Sequence, residues 1–184
     1  LVSLRTKLLN AYSEKNIPEI IRICSDFHLL DEFAAETPWE DISTMLQRPF
    51  RVCGMVKNEG MPGGGPFWVS HEGIKTKQII EKSQIDSIHL AKLTESSHFN
   101  PVMMALDFKD FQGESYDLPE FKEDSAYFIV EKNHHGKSIR FIEQPGLWNG
   151  GMAHWNTVFV EIPNEVFTPV KTVLDLLHSA HLAD

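Results

Sequence analysis

The chain changes texture at Pro49, and that change limits its fold more than any other feature. Before it, apolar residues recur at helical spacing. Leu1, Leu4, Leu8, Leu9 and Tyr12 share one face of a first segment. Ile17, Ile20, Ile21 and Cys24 share a face of a second, with Pro18 near its start. "TPWEDISTMLQ" adds a third, with Thr37 as N-cap, Pro38 at the first helical position and acidic residues in the first turn. From Pro49 onward the apolar runs are short and of strand type: "FRVCGMV", "PFWV", "KQIIEKSQI", "PVMMALDF", "YFIVEK", "SIRFIEQ" and "NTVFVEIP", punctuated by Gly, Pro, Asn and Asp. "FIVEKNHHGKSIRFIE" reads as a hairpin turning at Gly136. Only "DSIHLAKLTESS" and the closing "FTPVKTVLDLLHS" return to helical spacing. The expected fold is therefore α/β, with a helical segment at residues 1–48 and a sheet-rich part at residues 49–184.

Composition removes whole classes of function. Hydrophobic residues make up 42% and charged residues 23%, values that exclude a disordered chain. The net charge is -9 and no block of Lys or Arg stands out, so neither nucleic acid nor an anionic membrane surface is an expected partner. Cys24 and Cys53 are too few for a disulfide framework or a structural zinc site and suit a reducing cytoplasm. No apolar run approaches the roughly 18 residues of a membrane-spanning helix. The first residues, "LVSLRTKLLNAY", already lie inside a helical pattern and lack an initiator Met, so the chain reads as part of something longer.

A few stretches carry chemistry. "NEGMPGGGPFWV" is not a P-loop, because it lacks the Gly-Lys-Ser/Thr that holds phosphate and metal and no helix follows it. Its three glycines permit close backbone approach to a ligand, or simply a mobile connection. His134 and His135 are adjacent beside a turn glycine, and neighbouring strand residues point to opposite faces, so they read as a solvated turn. In "GLWNGGMAHWNT", Trp148 and Asn149 offer a sugar ring an apolar platform and a two-sided hydrogen-bonding group. The other reading is a bulged strand with Trp148 and Trp155 packed inward. Glu81 sits among apolar residues in an expected buried strand and needs a partner, whether Lys57, Lys82 or a ligand's hydroxyls. Asn100, ahead of Pro101, stands at the mouth of the next strand as a turn residue or a ligand contact. Lys171 precedes an apolar helical face formed by Val170, Val173, Leu174 and Leu177. A cation at a helix start opposes the macrodipole, so Lys171 is either merely solvated or shares an anion with the free helix N–H groups.

Taken in order, "RVCGMVKNEG", "KQIIEKSQI", "HFNPVMMALDF", "TVFVEIP" and "FTPVKTVLDLL" resemble the C-terminal half of the UTP-dependent sugar pyrophosphorylases, the UDP-N-acetylglucosamine and UDP-glucose type. With "MPGGGPFWV" and "PGLWNGGMAHWNT", the chain is identified as a member of a bacterial family, domain of unknown function 4301. The resemblance runs from about Pro49 to Leu177. It implies a partial nucleotide-diphospho-sugar transferase-like mixed sheet whose nucleotide-binding half lies upstream of Leu1. It further implies that Gly54 lines a sugar pocket, that Glu81 and Asn100 bond the sugar, and that Lys171 contacts phosphates. Trp148 and Asn149 join the sugar contacts by a looser alignment.

The implied reaction joins a sugar 1-phosphate to a nucleoside triphosphate and releases pyrophosphate, with Mg²⁺ held by ligands outside this chain. Without an upstream nucleotide loop the chain is not expected to catalyse this alone. The alternative is a non-catalytic sugar or nucleotide-sugar binding module. Expected partners are nucleotide, sugar phosphate and the missing N-terminal part of the same protein, in the cytoplasm. "GGGPFWV" and "WNGGMAHWN" have no pyrophosphorylase counterpart, which leaves room for a different substrate.

Overall fold

A computed structural model describes residues 1–29, 37–60, 63–71 and 74–182. The helical segment forms as its periodicity dictates: α1 (Val2–Ser13), α2 (Ile17–Asp26) and α3 (Trp39–Leu46). Asn16 caps α2 by accepting from the Glu19 amide at 3.2 Å, with Pro18 in the first turn. For α3 the cap position falls on Pro38, one residue later than expected. All three helices turn their apolar faces to one cluster, which includes Leu4, Leu8, Ile20, Ile23, Ile42 and Leu46 and continues into Phe50 and Val158 of the sheet.

The sheet has β1 (Phe50–Lys57) at its centre. β4 (His98–Asp107) pairs with it antiparallel on one edge, and β7 (Asn156–Glu161) pairs parallel on the other. Alternation along β1 sorts its two faces. Phe50 packs on the helices, whereas Cys53 and Met55 pack on Ile79. Ile79 belongs to an antiparallel ribbon of β2 (Gly65–His71) and β3 (Ile74–Ile80), which shares no ladder with the sheet. The result is three layers: helices, mixed sheet, ribbon. A second ribbon, β5 (Phe128–His134) and β6 (Lys137–Glu143), is largely exposed and turns at Gly136 with φ +78°, as its sequence predicts.

Three expectations fail. "KQIIEKSQI" is not one strand, because β3 ends at Ile80 and Lys82–Gln84 form a 3-10 turn. "DSIHLAKLTESS" holds a short 3-10 helix, Leu90–Glu95, in place of an α-helix. The closing segment is not an amphipathic α-helix either. It holds two short 3-10 turns, Val173–Leu177 and Ser179–His181, and Val173 and Leu174 are 81% and 73% exposed. The apolar periodicity is present in the sequence, but no described surface receives it, and an unpacked helix of this length is marginal in water.

Candidate functional site

The site grows from the turn that ends β3. The Glu81 amide donates to Gln84 Oε1 at 2.8 Å, and the Gln84 side-chain amide donates to the Ala126 carbonyl at 3.0 Å. This pins the turn to the segment just before β5. The Glu81 carboxylate meets Asn100, whose Nδ2 donates to Oε1 at 2.9 Å. Two residues 19 apart in sequence are thus brought together from different strands' ends. Glu81 therefore pairs with neither expected lysine; Lys57 pairs with Glu161 instead, at 3.5 Å. Asn100 is no turn residue, since it lies inside β4.

Two glycine motifs close on this turn. A methyl group at Gly64 would stand 2.2 Å from the Ile80 carbonyl oxygen and 2.7 Å from Asn100 Oδ1. At Gly150 it would stand 2.4 Å from the Ile79 carbonyl oxygen. Real side chains do not tolerate such distances, so both positions exclude a Cβ. The close backbone approach that the triple glycine permits is thus to the chain's own strands. Burial pushes the Glu81 carboxyl above its ordinary range, the Asn100 hydrogen bond opposing and the Glu143 charge adding to it.

The other expected site residues do not join this pair. Gly54 lies on the opposite face of β1 from Cys53 and Met55, and hence away from the ribbon that carries Glu81. The space over it is filled, because a Cβ there would meet Met103 Cγ at 2.7 Å and Ile162 Cδ1 at 3.3 Å. It is a packing glycine rather than a pocket floor.

Asn149 is 4% exposed and committed to its own loop. Its Oδ1 accepts from the Gly146 and Gly151 amides at 2.9 and 2.8 Å, and its Nδ2 donates to the Gln144 carbonyl at 3.1 Å. It knots the loop and offers little to a sugar. The two tryptophans divide: Trp155 is 2% exposed, and Trp148 is 54% exposed.

Lys171 is exposed, and the anion at its turn is internal. The Asp175 carboxylate takes the Lys171 amide at 2.8 Å and the Thr172 amide at 2.6 Å. Those two amides hold the Asp175 carboxyl below its usual range. The Lys171 and Thr172 amides are therefore occupied from within the chain, and the Lys171 ammonium remains for a ligand.

Sequence reasoning missed Arg51. Its side chain is fully buried, yet its partners are neutral: Thr157 Oγ1 at 2.8 Å, the Leu147 carbonyl at 2.8 Å and Gln78 Oε1 at 3.2 Å. Burial pulls it down to about 10, so it stays charged at neutral pH. Beside it opens a cavity of about 260 Å³, walled by one face of the ribbon (Val69, Thr76, Gln78, Ile80), by Gln84, by the 123–126 segment, by the loop at Gly150–His154, and by Arg48. An Arg in a strand-type run was the available signal. Nothing in the spacing tied it to Gln78.

Among the described residues, no group of three or more His, Cys, Asp or Glu is placed to share a metal. No helix among the described residues is long and apolar enough to cross a membrane. The sequence matches the family described as Domain of unknown function (DUF4301) over residues 4–182. The chain belongs to that family. No curated protein matches it in sequence. Among solved structures, the chain is similar to a point mutant of UDP-glucose pyrophosphorylase from Leishmania major in complex with UDP-glucose, at 14% identity and a TM-score of 0.38. That match covers 91% of this chain and 39% of the other, so the chain spans well under half of the pyrophosphorylase's length. The mixed sheet with N-terminal helices is the α/β architecture expected for this family member.

Proposed function

We propose that this chain is the sugar-phosphate-binding half of a nucleotidyltransferase-like protein, in which a sugar 1-phosphate oxygen attacks the α-phosphorus of a nucleoside triphosphate and pyrophosphate leaves. The observation that supports this reading is the Glu81–Asn100 contact. A half-buried carboxylate, oriented by a carboxamide and by the packed glycine backbone beneath it, is a pre-organised acceptor for ligand hydroxyls. The motif resemblance assigns sugar binding to these same two residues.

In this reading Glu81 accepts from the sugar, Asn100 sets the carboxylate's orientation, and exposed Trp148 offers a ring face nearby in sequence to the Asn149 knot. Lys171 meets the phosphate through its ammonium alone. The nucleotide-binding half belongs to sequence outside residues 1–184. The Mg²⁺ that the resemblance implies has no fitting ligand set among the described residues, and no step of the reading runs through it.

Calorimetric titration of the chain with glucose 1-phosphate and with UDP-glucose tests the proposal. Glu81→Gln should weaken binding by roughly tenfold, the loss of one hydrogen bond to a charged group. Equal affinity of wild type and Glu81→Gln for both ligands would reject the sugar site. Pyrophosphate release by the longer protein, present or absent, separates a transferase from a binding module on the same fold.

A further inference from the structure

We infer that the cavity between the β2–β3 ribbon and the Gly150–His154 loop is a ligand site of its own, built for a small hydroxylated anion. The site is independent of the Glu81–Asn100 pair, because Thr76, Gln78 and Ile80 point into it at alternate positions and Glu81 does not line it.

Charge and composition both define the ligand. Arg48 lines the cavity half-buried, and among the described residues its guanidinium has no hydrogen bond or ion pair. A guanidinium presents five donors and keeps its charge, so Arg48 is available to pair with an anion that enters the cleft. Arg51 lies one layer behind. It is buried without a carboxylate partner, and it bonds Gln78, whose own Nε2 donates to Thr76 Oγ1 at 3.2 Å and to the Ala153 carbonyl at 3.1 Å.

The wall also carries one carboxylate, Glu123, which its Ser125 contacts hold below its usual range and so ionised. Glu123 pairs with His154 at 3.5 Å and accepts from the Ser125 hydroxyl at 2.6 Å and amide at 3.0 Å. Arg48 in the wall and Arg51 behind it outnumber that carboxylate, and Thr76 and Ser125 add hydroxyl contacts. Its volume holds roughly nine waters, enough for a ligand of hydroxy-acid or single-ring size.

The walls are also fixed rather than incidental. The Glu123 amide donates to the Gly151 carbonyl at 2.8 Å, and Gln84 holds the Ala126 carbonyl at 3.0 Å. Gly150 has no room for a Cβ against Ile79. The stretches "GGGPFWV" and "WNGGMAHWN" supply Val69 on one wall and Gly150, Ala153 and His154 on the other.

The experiment titrates the chain with gluconate, with inorganic phosphate and with uncharged glucose, reading both heat and melting temperature. Gluconate should bind and raise the melting temperature, phosphate should bind more weakly through charge alone, and any binding of glucose should be indifferent to Arg48→Gln. Arg48→Gln should weaken gluconate by roughly tenfold or more, with Arg48→Lys between the two, because a lysine cannot reproduce the forked contact. The weakening of gluconate by Arg48→Gln should be the same in the wild-type and Glu81→Gln backgrounds, which separates this site from the sugar site. Gluconate affinity unaltered in a folded Arg48→Gln, glucose weakened as much as gluconate by that change, or no binding of either anion at millimolar concentration would each overturn the inference.

Discussion

Arg51 Nε donates to Thr157 Oγ1 at 2.8 Å across the parallel β1–β7 pair, at a point where the two residues stand opposite in register. The same guanidinium reaches the Leu147 carbonyl and Gln78, so one side chain ties together the sheet, the ribbon and the 147–152 loop. Arg51→Ala would leave the Thr157, Leu147 and Gln78 oxygens without this donor in a dry interior. It should destabilise the chain by about 3–5 kcal/mol, at the upper end for point substitutions. Arg51→Lys should recover only part, since one ammonium cannot span all three partners. Urea unfolding of both variants checks this, and a loss under about 1 kcal/mol for alanine would refute it.

The glycines divide by cause. Gly64→Ala drives a methyl into the Ile80 carbonyl and into Asn100, so it should cost about 2 kcal/mol or more and disturb the Glu81 contact. Gly60→Ala meets no atom within 4 Å, and its only penalty is φ +91°. That penalty is about 1–2 kcal/mol. Chemical-shift changes at Asn100 and Glu81 in Gly64→Ala, absent in Gly60→Ala, are the expected signature.

Glu81 gives a pH dependence of defined sign. Its carboxyl is raised above the ordinary 4.5 by burial, so the folded chain holds that proton more tightly than the unfolded chain. The resulting stabilisation is complete below pH 4.5 and is lost as pH rises through the folded value. Glu81→Gln removes this loss. It should melt at or above wild type at pH 7 and converge with it in acid, while binding sugar phosphate less well. A variant that melts clearly lower than wild type at pH 7 would mean that the carboxylate is a structural necessity.

Both cysteines should be inert in the folded chain. Burial pushes the Cys24 thiol up to about 12 and the Cys53 thiol up to about 11, the latter despite the opposing Arg51 charge. Since the thiolate is the reactive form, an aromatic disulfide reagent at pH 8 should label neither until denaturant is added. Rapid labelling of one thiol in native buffer would contradict the packing around it.

Much of the architecture was legible because periodicity reports burial directly. Leu4, Leu8, Ile20 and Cys24 announced their helices, and Gly136 announced its hairpin. The closing segment misled for the same reason: Val173, Leu174 and Leu177 have helical spacing, but spacing says nothing about whether a surface receives them. At the site, the Glu81 partner was illegible because the lysines nearest in pattern are not nearest in space, and a register shift in β4 sets where Asn100 falls. Asn149 looked like a ligand contact because a carboxamide that knots a loop and one that binds a sugar are the same residue in a sequence. Arg51 and Gln78 meet from 27 positions apart, a separation no local pattern encodes.

The β2–β3 ribbon has consequences for how the molecule opens. It lies on the sheet through side chains and glycine contacts and shares no ladder with it, whereas β1 is bonded along both edges. Its amides can therefore trade protons for deuterons by lifting as a unit, at a free energy below that of global unfolding, while those of Phe50–Met55 wait for the whole chain to unfold. Since the same ribbon forms one wall of the Arg48 cavity, an anion seated there should slow exchange along β3 first and leave β1 unchanged.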